Sequence, residues 1–397
     1  MGDQREAVIV GAARIPTGRF LGVLASQSAP ELGAAAIRAA LQRSGVPGAS
    51  VDEVFVGNVV SAGIGQAPAR QALLKAGLPP SVPATSVNKV CGSGLKAVMF
   101  AAQAIRAGDG TTYVAAGMES MSNAPYLLPK ARTGYRLGHA QMLDAEIHDG
   151  LWCAVENEHM GNLAEHIARV YEISRDEQDE YAVESQRRAS TAQASGAFQE
   201  EFVPVELRQR GGSTILIERD EPPRPNTSLE ALTRLSPAFE VHGTVTAGNA
   251  PGLSDGAAAL VVMERQAAER AGRPILARVL GYANAAREPK QIFAAPPLAI
   301  QALLDRTGLR LADFDLIELN EAFAAQVLAN VKELGLDRAR LNVNGGAIAL
   351  GHPLGATGAK ILVTLIYALR HRGLRRGMAS LCLGGGGAVA LAVEVES

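Results

Sequence analysis

A chain of 397 residues is long enough for two or three domains' worth of core, and 47% hydrophobic with 20% charged residues is the balance of a folded soluble protein. A net charge of −2 and a pI near 6.4 offer no polyphosphate-binding surface, so nucleic acid is excluded as the expected partner. Three widely spaced cysteines are an odd number and make no disulfide framework; they point to a reducing, cytoplasmic setting in which a free thiol can serve chemistry.

The opening residues, Met1 to Glu6, contain no cationic stretch followed by an apolar one, so no secretory signal is expected. Gly2 lacks a full myristoylation pattern, because position 6 is Glu. An apolar strand follows. Ser28 then caps a helix, with Pro30 in its first turn and Glu31 three residues after the cap. Ala36 to Val46 reads as amphipathic helix and Gly stop, and Glu53 to Val56 as a buried strand. After Cys91, the apolar positions Leu95, Val98, Met99, Ala102 and Ile105 have helical spacing. That helix ends at Arg106-Ala107-Gly108, a basic last turn followed by glycine. A strand over Thr112 to Ala116 comes next.

From about Ser120 to His242 the composition shifts to charge, Gly, Pro and Asn, with helical patches such as Arg175 to Ala192. This reads as an inserted loop region that shapes substrate binding. The first pattern then returns. Ala299 to Leu309 repeats Ala36 to Val46 at a distance of 263 residues, and Leu316 to Leu319 repeats Glu53 to Val56. After His352, the positions Leu362, Leu365, Ile366 and Leu369 mark a second helix, which stops at Arg370-His371-Arg372-Gly373 before a strand over Met378 to Leu381. Ile361 to Leu369 is far shorter than the ~20 residues of a membrane helix, so no membrane insertion is expected. The expected organisation is a duplicated α/β fold. Residues 1–120 form a first half completed by about 244–270, residues 121–243 a loop domain, and residues 271–397 a second half.

Three segments place reactive side chains among glycines: Asn88 to Gly94 around Cys91, Asn344 to Pro353 around His352, and Leu381 to Gly387 around Cys382. A thiolate is a strong nucleophile, and a helix N-terminus is expected to lower the Cys91 pKa, although a free cysteine taken alone reads more readily as a small buried hydrophobe. A neutral His352 imidazole can take the thiol proton. Cys382, at the end of a strand, supplies a second acid/base, and the glycines after it, Gly384 first, offer an oxyanion-binding N–H. Asn320, also at a strand end, can hold a water or an oxyanion, or simply cap a helix. Cys153 reads as a buried structural thiol. No pair with zinc-ligand spacing and no phosphate-cradling Gly-rich Lys loop is present, so neither a metal nor a tightly bound cofactor is expected.

With Asn320-Glu321-Ala322-Phe323, these three segments resemble the signature blocks of the thiolases. The likeness covers nearly the whole chain and includes Gly117 to Ser122, His159-Met160-Gly161, Ser174 to Asp179 and Gly243 to Asn249. Cys91-Gly92-Ser93-Gly94 is more similar to the acetoacetyl-CoA, biosynthetic-type branch than to the long-chain branch. The resemblance implies a five-layer α-β-α-β-α core from two similar halves with an inserted loop domain, and a homodimer or homotetramer. It implies coenzyme A and acyl-CoA as substrates. By family role, Cys91 takes the acyl group, His352 activates it and Cys382 moves the α-carbon proton. Asn320 holds a water that forms one oxyanion hole with His352, and the N–H groups of Cys91 and Gly384 form the other. His159 and Met160 fall in a segment expected along the CoA arm, with Arg224, Ala247 and Gly248 as further expected contacts. Decarboxylating condensing enzymes share the duplicated core but lack the second cysteine, so Cys382 argues against them. Three departures stand out: Pro251 where the family usually has Ser, Phe293 where Gly is usual, and Gly387 where Met is frequent.

Overall fold

The computed structural model describes residues 5–208 and 212–396. The reading made on Gly2 lies outside the described residues. In the first half, β1 (Ala7–Arg14), β2 (Glu53–Gly57), β3 (Ala84–Val87) and β4 (Thr112–Ser120) alternate with α1 (Ala29–Ser44), α2 (Pro68–Ala76) and α3 (Ser93–Ala107). The inserted region carries α4 (Met160–Val170) and α5 (Arg175–Ala194). The chain returns through β5 (Ser254–Glu264). The second half holds β6 (Ala277–Ala286), α6 (Pro296–Thr307), β7 (Leu316–Leu319), α7 (Ala324–Leu334), α8 (Leu354–His371), β8 (Arg376–Leu383) and β9 (Gly387–Val395).

The expected helix starts are built as the residues suggest. Glu31 accepts the Ser28 backbone N–H at 2.8 Å, and α1 stops at Gly45 with φ of 65°. Ser174 and Glu177 make the same reciprocal cap on α5.

The main strands run in the order β7-β8-β9-β6-β1-β5-β4-β2-β3. Read outward from the centre, β1-β5-β4-β2-β3 and β6-β9-β8-β7 are one topology used twice. In the second half the counterpart of β3 shrinks to a single parallel bridge between Ile317 and Leu341. The outer strands of each half pair in parallel, which requires helical crossovers, and α3 and α8 are two of them. Within the sheet, the two halves pair at Val8 with Arg278 and Ile9 with Ala277.

Strand alternation sorts the core into layers. On β4, Tyr113 and Ala115 face α3 and α8, while Val114, Ala116 and Met118 face α1 and α2. On β8, Leu381 and Leu383 face the same α3/α8 layer, and Met378 faces α6 and α7. Helices therefore cover both outer faces and fill the middle, which gives five layers. The middle position explains why α8 has no solvent-facing side over most of its length: every residue from Leu354 to Leu369 is buried. Backbones touch there. A Cβ on Gly94 would sit 2.7 Å from Ala359 N, and one on Gly358 would sit 2.3 Å from Leu95 N.

The inserted region is tied to β1 by a buried ion cluster. Arg14 bonds Glu201 at 2.6 Å and Asp220 at 2.8 Å, with its guanidinium between the rings of Phe198 and Phe202. Removing both acids would strand a buried cation. Among the described residues, no helix is long and apolar enough to cross a membrane.

Candidate active site

Between β3 and α3 the chain makes a tight turn that delivers Cys91. Val90 adopts φ of 47°, a left-handed conformation that costs a β-branched residue energy. Two polar side chains hold it there. Asn88 Oδ1 accepts Val90 N–H at 3.0 Å; Ser93 Oγ accepts Lys89 N–H at 2.8 Å and donates to Val90 O at 2.6 Å. Gly92 follows because a Cβ would lie 2.6 Å from a Leu383 methyl. Cys91 as a residue keeps partial access to solvent, but protein packs around its sulfur.

The expectation of an acidic thiol is overturned. Burial pushes the Cys91 thiol up to about 12, and the backbone N–H groups of Cys91 and Gly384, which both reach the sulfur, offset only part of this. Desolvation outweighs the helix terminus here. At neutral pH the Cys91 sulfur therefore keeps its proton.

His352 lies between Gly351 and Pro353, just before α8. Gly351 has φ of 81°, and a Cβ on it would clash with Ser254 Oγ at 2.4 Å. The imidazole Nδ1 is 2.7 Å from Thr357 Oγ1, and that hydroxyl donates to Pro353 O at 2.9 Å. A hydroxyl has one proton. With it spent on Pro353, Thr357 accepts Nδ1–H, and Nε2 is left bare as a base. Asn320 Nδ2 stands 3.5 Å from Nε2. Burial, and then the nearby Lys360, hold the imidazole down to about 3, so it is neutral at rest. Lys360 also donates to Leu350 O at 2.6 Å and Gly351 O at 3.2 Å, which fixes the turn ahead of His352.

Cys382 is buried near the end of β8, on the face opposite Leu381 and Leu383. It packs among Ile292, Phe293 and Phe323. Burial first, and then a charge on Cys91, push its pKa well above the ordinary thiol value. Asn320 follows β7 and donates its backbone N–H to Ser380 O at 3.0 Å; its buried Oδ1 has no hydrogen-bond partner. Gly384 opens the tight β8–β9 turn, in which Gly385 and Gly386 both take φ near 85°: 84° and 86°.

Cys91, His352, Cys382 and Gly384 all line one cavity of about 320 Å³. Residues far apart in the chain therefore converge, with Asn320 directly behind His352. His159 and Met160 also line it, with His159 stacked on Phe239 at 4.9 Å between ring centroids. Pro251 and Phe293 line it too. Arg224, Ala247 and Gly248 do not. Arg224 is exposed with its N–H on Gln186 Oε1, Ala247 is exposed, and Gly248 packs beneath Leu232 and Leu235.

Four buried polar residues escaped the sequence reading. Thr357 and Lys360 are joined by Thr364 as a polar stripe on an otherwise apolar, fully buried helix, which is the signal that marks them. Glu119 is fully buried at the end of β4. Its carboxyl accepts from Asn58 Nδ2 at 2.7 Å, Val59 N at 3.0 Å and Gly355 N at 2.8 Å, tying the loop after β2 to the first turn of α8. Burial raises it to about 7 despite those donors.

Comparison with known proteins agrees with this arrangement. Residues 7–266 match the family described as thiolase, N-terminal domain, and residues 273–395 match thiolase, C-terminal domain. The chain is 54% identical over 391 residues to an acetyl-CoA acetyltransferase of Escherichia coli (strain K12), covering 98% of this chain and 99% of that protein. It is 52% identical over 387 residues to one of Pseudomonas aeruginosa, covering 98% of each. The fold superposes on the crystal structure of the Bacillus anthracis acetyl-CoA acetyltransferase with a TM-score of 0.98 at 42% identity, over 100% of both chains. With both family domains matched in order along a duplicated five-layer core, the chain belongs to the thiolase family.

Proposed function

We propose that this protein is an acetyl-CoA C-acyltransferase. It condenses acetyl-CoA with an acyl-CoA, and in reverse cleaves a 3-ketoacyl-CoA with CoA, through an acyl group carried on Cys91. Acetoacetyl-CoA is the substrate the reading favours. The observation that carries it is the convergence of Cys91, His352 and Cys382 on one cavity.

The protons balance as follows. His352 Nε2 takes the Cys91 proton as the sulfur attacks the thioester carbonyl. The departing CoA thiolate takes the proton of Cys382, which is a thiol at rest, and leaves Cys382 as a thiolate. That thiolate removes the α-proton of acetyl-CoA. The carbanion forms the new C–C bond at the acyl carbon, the bond to Cys91 breaks, and His352 returns its proton to Cys91. The N–H groups of Cys91 and Gly384, and a water held by Asn320 beside His352, stabilise the two oxyanions. The unpartnered Asn320 Oδ1 supports that water. His159 and Met160 border the pantetheine arm of CoA.

The same reading divides the chain into halves at 1–120 with 244–270 and at 271–397, around a loop domain at 121–243. It makes the protein a cytoplasmic homodimer or homotetramer. The edge strand β3, with Thr85 and Ser86 exposed and one side unpaired, supports self-association. The test is intact-protein mass measurement after incubation with acetyl-CoA. One acyl adduct is expected on the wild type and none on Cys91→Ala; a wild type without an adduct rejects the proposal.

A further inference from the structure

Resting on that reading, we infer that Phe293 is the residue that rejects substituents on the α-carbon of the substrate, so that straight-chain 3-ketoacyl-CoA thioesters are turned over and their 2-methyl counterparts are not. Two different walls meet at the cavity. Cys91 packs against the cluster that holds Met121 and Leu354, whereas Cys382 belongs to the cluster that holds Phe293 and Phe323. In cleavage, the Cys91 sulfur bonds to C3, the C2–C3 bond breaks, and C2 receives a proton from Cys382. Everything beyond C3 therefore lies on the Cys91 side. A substituent on C2 lies on the Cys382 side, against the Phe293 ring.

That ring is fixed. It is 2% exposed and meets Phe323 edge-on, with centroids 5.3 Å apart at 72°. Its backbone is clamped from α7. Asn330 Nδ2 donates to Phe293 O at 2.6 Å, Gln326 Nε2 donates to Asn330 Oδ1 at 3.3 Å, and Gln326 Oε1 accepts Ala322 N–H at 3.1 Å. Gln326 and Asn330 are both fully buried. This relay locks the Phe293 backbone to the Asn320–Phe323 segment, and close packing around the buried ring opposes its making way for an extra methyl group. Close-packed interiors do not yield such volume without strain.

The experiment compares CoA-dependent cleavage of acetoacetyl-CoA, 2-methylacetoacetyl-CoA and 3-ketohexanoyl-CoA by the full-length protein. The wild type should favour acetoacetyl-CoA over its 2-methyl analogue by roughly 10- to 200-fold in kcat/KM, the range one methyl group commands in an apolar pocket. Phe293→Leu and Phe293→Ala should shrink that ratio by at least about fivefold, chiefly by raising the branched rate. The hexanoyl-to-acetoacetyl ratio should stay unchanged. A wild type that cleaves the 2-methyl compound as fast as acetoacetyl-CoA overturns the inference without any variant. So does an unchanged ratio in whichever variant retains the wild-type unfolding midpoint. No cleavage of acetoacetyl-CoA by the wild type overturns the acyl-transfer reading itself.

Discussion

Thr357 offers the sharpest test of how His352 is set. Thr357→Val keeps the volume and the β-branch but removes the hydroxyl that stands 2.7 Å from Nδ1. Nδ1–H is then a buried donor with no acceptor, and the imidazole no longer has one preferred tautomer. An orphaned buried donor costs ~1 to 3 kcal/mol, which is roughly a five- to 150-fold loss in kcat/KM if the cost falls on the base. The assay is CoA-dependent cleavage of acetoacetyl-CoA, paired with iodoacetamide labelling of Cys91 followed by peptide mass. Both rates should fall together, because both need Nε2 to draw the thiol proton. Thr357→Ser, which keeps the oxygen, should restore both. A Val variant that folds normally and stays within about twofold of wild type would refute the tautomer argument.

Cys382→Ala should still form the acyl adduct on Cys91, yet lose cleavage and condensation by roughly 10²- to 10⁴-fold, as removal of a proton-transfer group does; quenched-reaction mass measurement separates the two steps. Iodoacetamide labelling of Cys91 in the free enzyme should climb steadily into the alkaline range, because burial holds the thiol near 12; a plateau already reached at pH 6 would mean a preformed thiolate. His352 is held down to about 3 in the fold, so between there and its ordinary value of 6.5 the unfolded chain binds the extra proton. Stability should therefore fall as pH drops below 6.5, and His352→Gln should show a shallower decline in thermal midpoint. Glu119→Gln should lower the thermal midpoint at pH 8, because an amide nitrogen placed among the N–H groups of Val59, Val60 and Gly355 turns acceptors into a clash of donors.

The elements most legible in the sequence were those whose signal is local. Ser28 with Glu31, the Gly45 and Gly108 stops, and the spacing of Leu95 to Ile105 each state a helix end or a buried face in a few residues. The repeat at 263 residues was legible for the same reason, since α1–β2 and α6–β7 keep the same order of helix, glycine and strand. What the sequence reading missed depends on contacts across the fold. Thr357 matters only because the imidazole five residues earlier turns back onto its hydroxyl. Glu119 matters only because the loop after β2 and the first turn of α8 both bring N–H groups to it. Arg224 sits on the inserted loops and Ala247 and Gly248 on the segment that returns from them; none lines the cavity, and no periodicity reports which side chains such a turn brings to it.

The wrong expectation about Cys91 is instructive in the same way. A helix N-terminus beside a cysteine is a local feature and argues for an anion. Burial is a property of the assembled layers: the sulfur is enclosed by Leu383, Leu354 and the Gly384 turn from the other half of the chain. A helix end is worth about 1 kcal/mol at a partly screened site, while full desolvation moves a pKa by several units. The larger effect wins, and the two thiols and the imidazole all rest uncharged. On the proposed route this has a consequence. Charge appears only when substrate is bound, at the sulfur that both the Cys91 and Gly384 N–H groups already face. A thiol kept neutral until then is protected from chance oxidation and alkylation, since the thiolate is the reactive form. The fold thus keeps the nucleophile quiet by the same burial that strengthens those two N–H donors once negative charge forms between them.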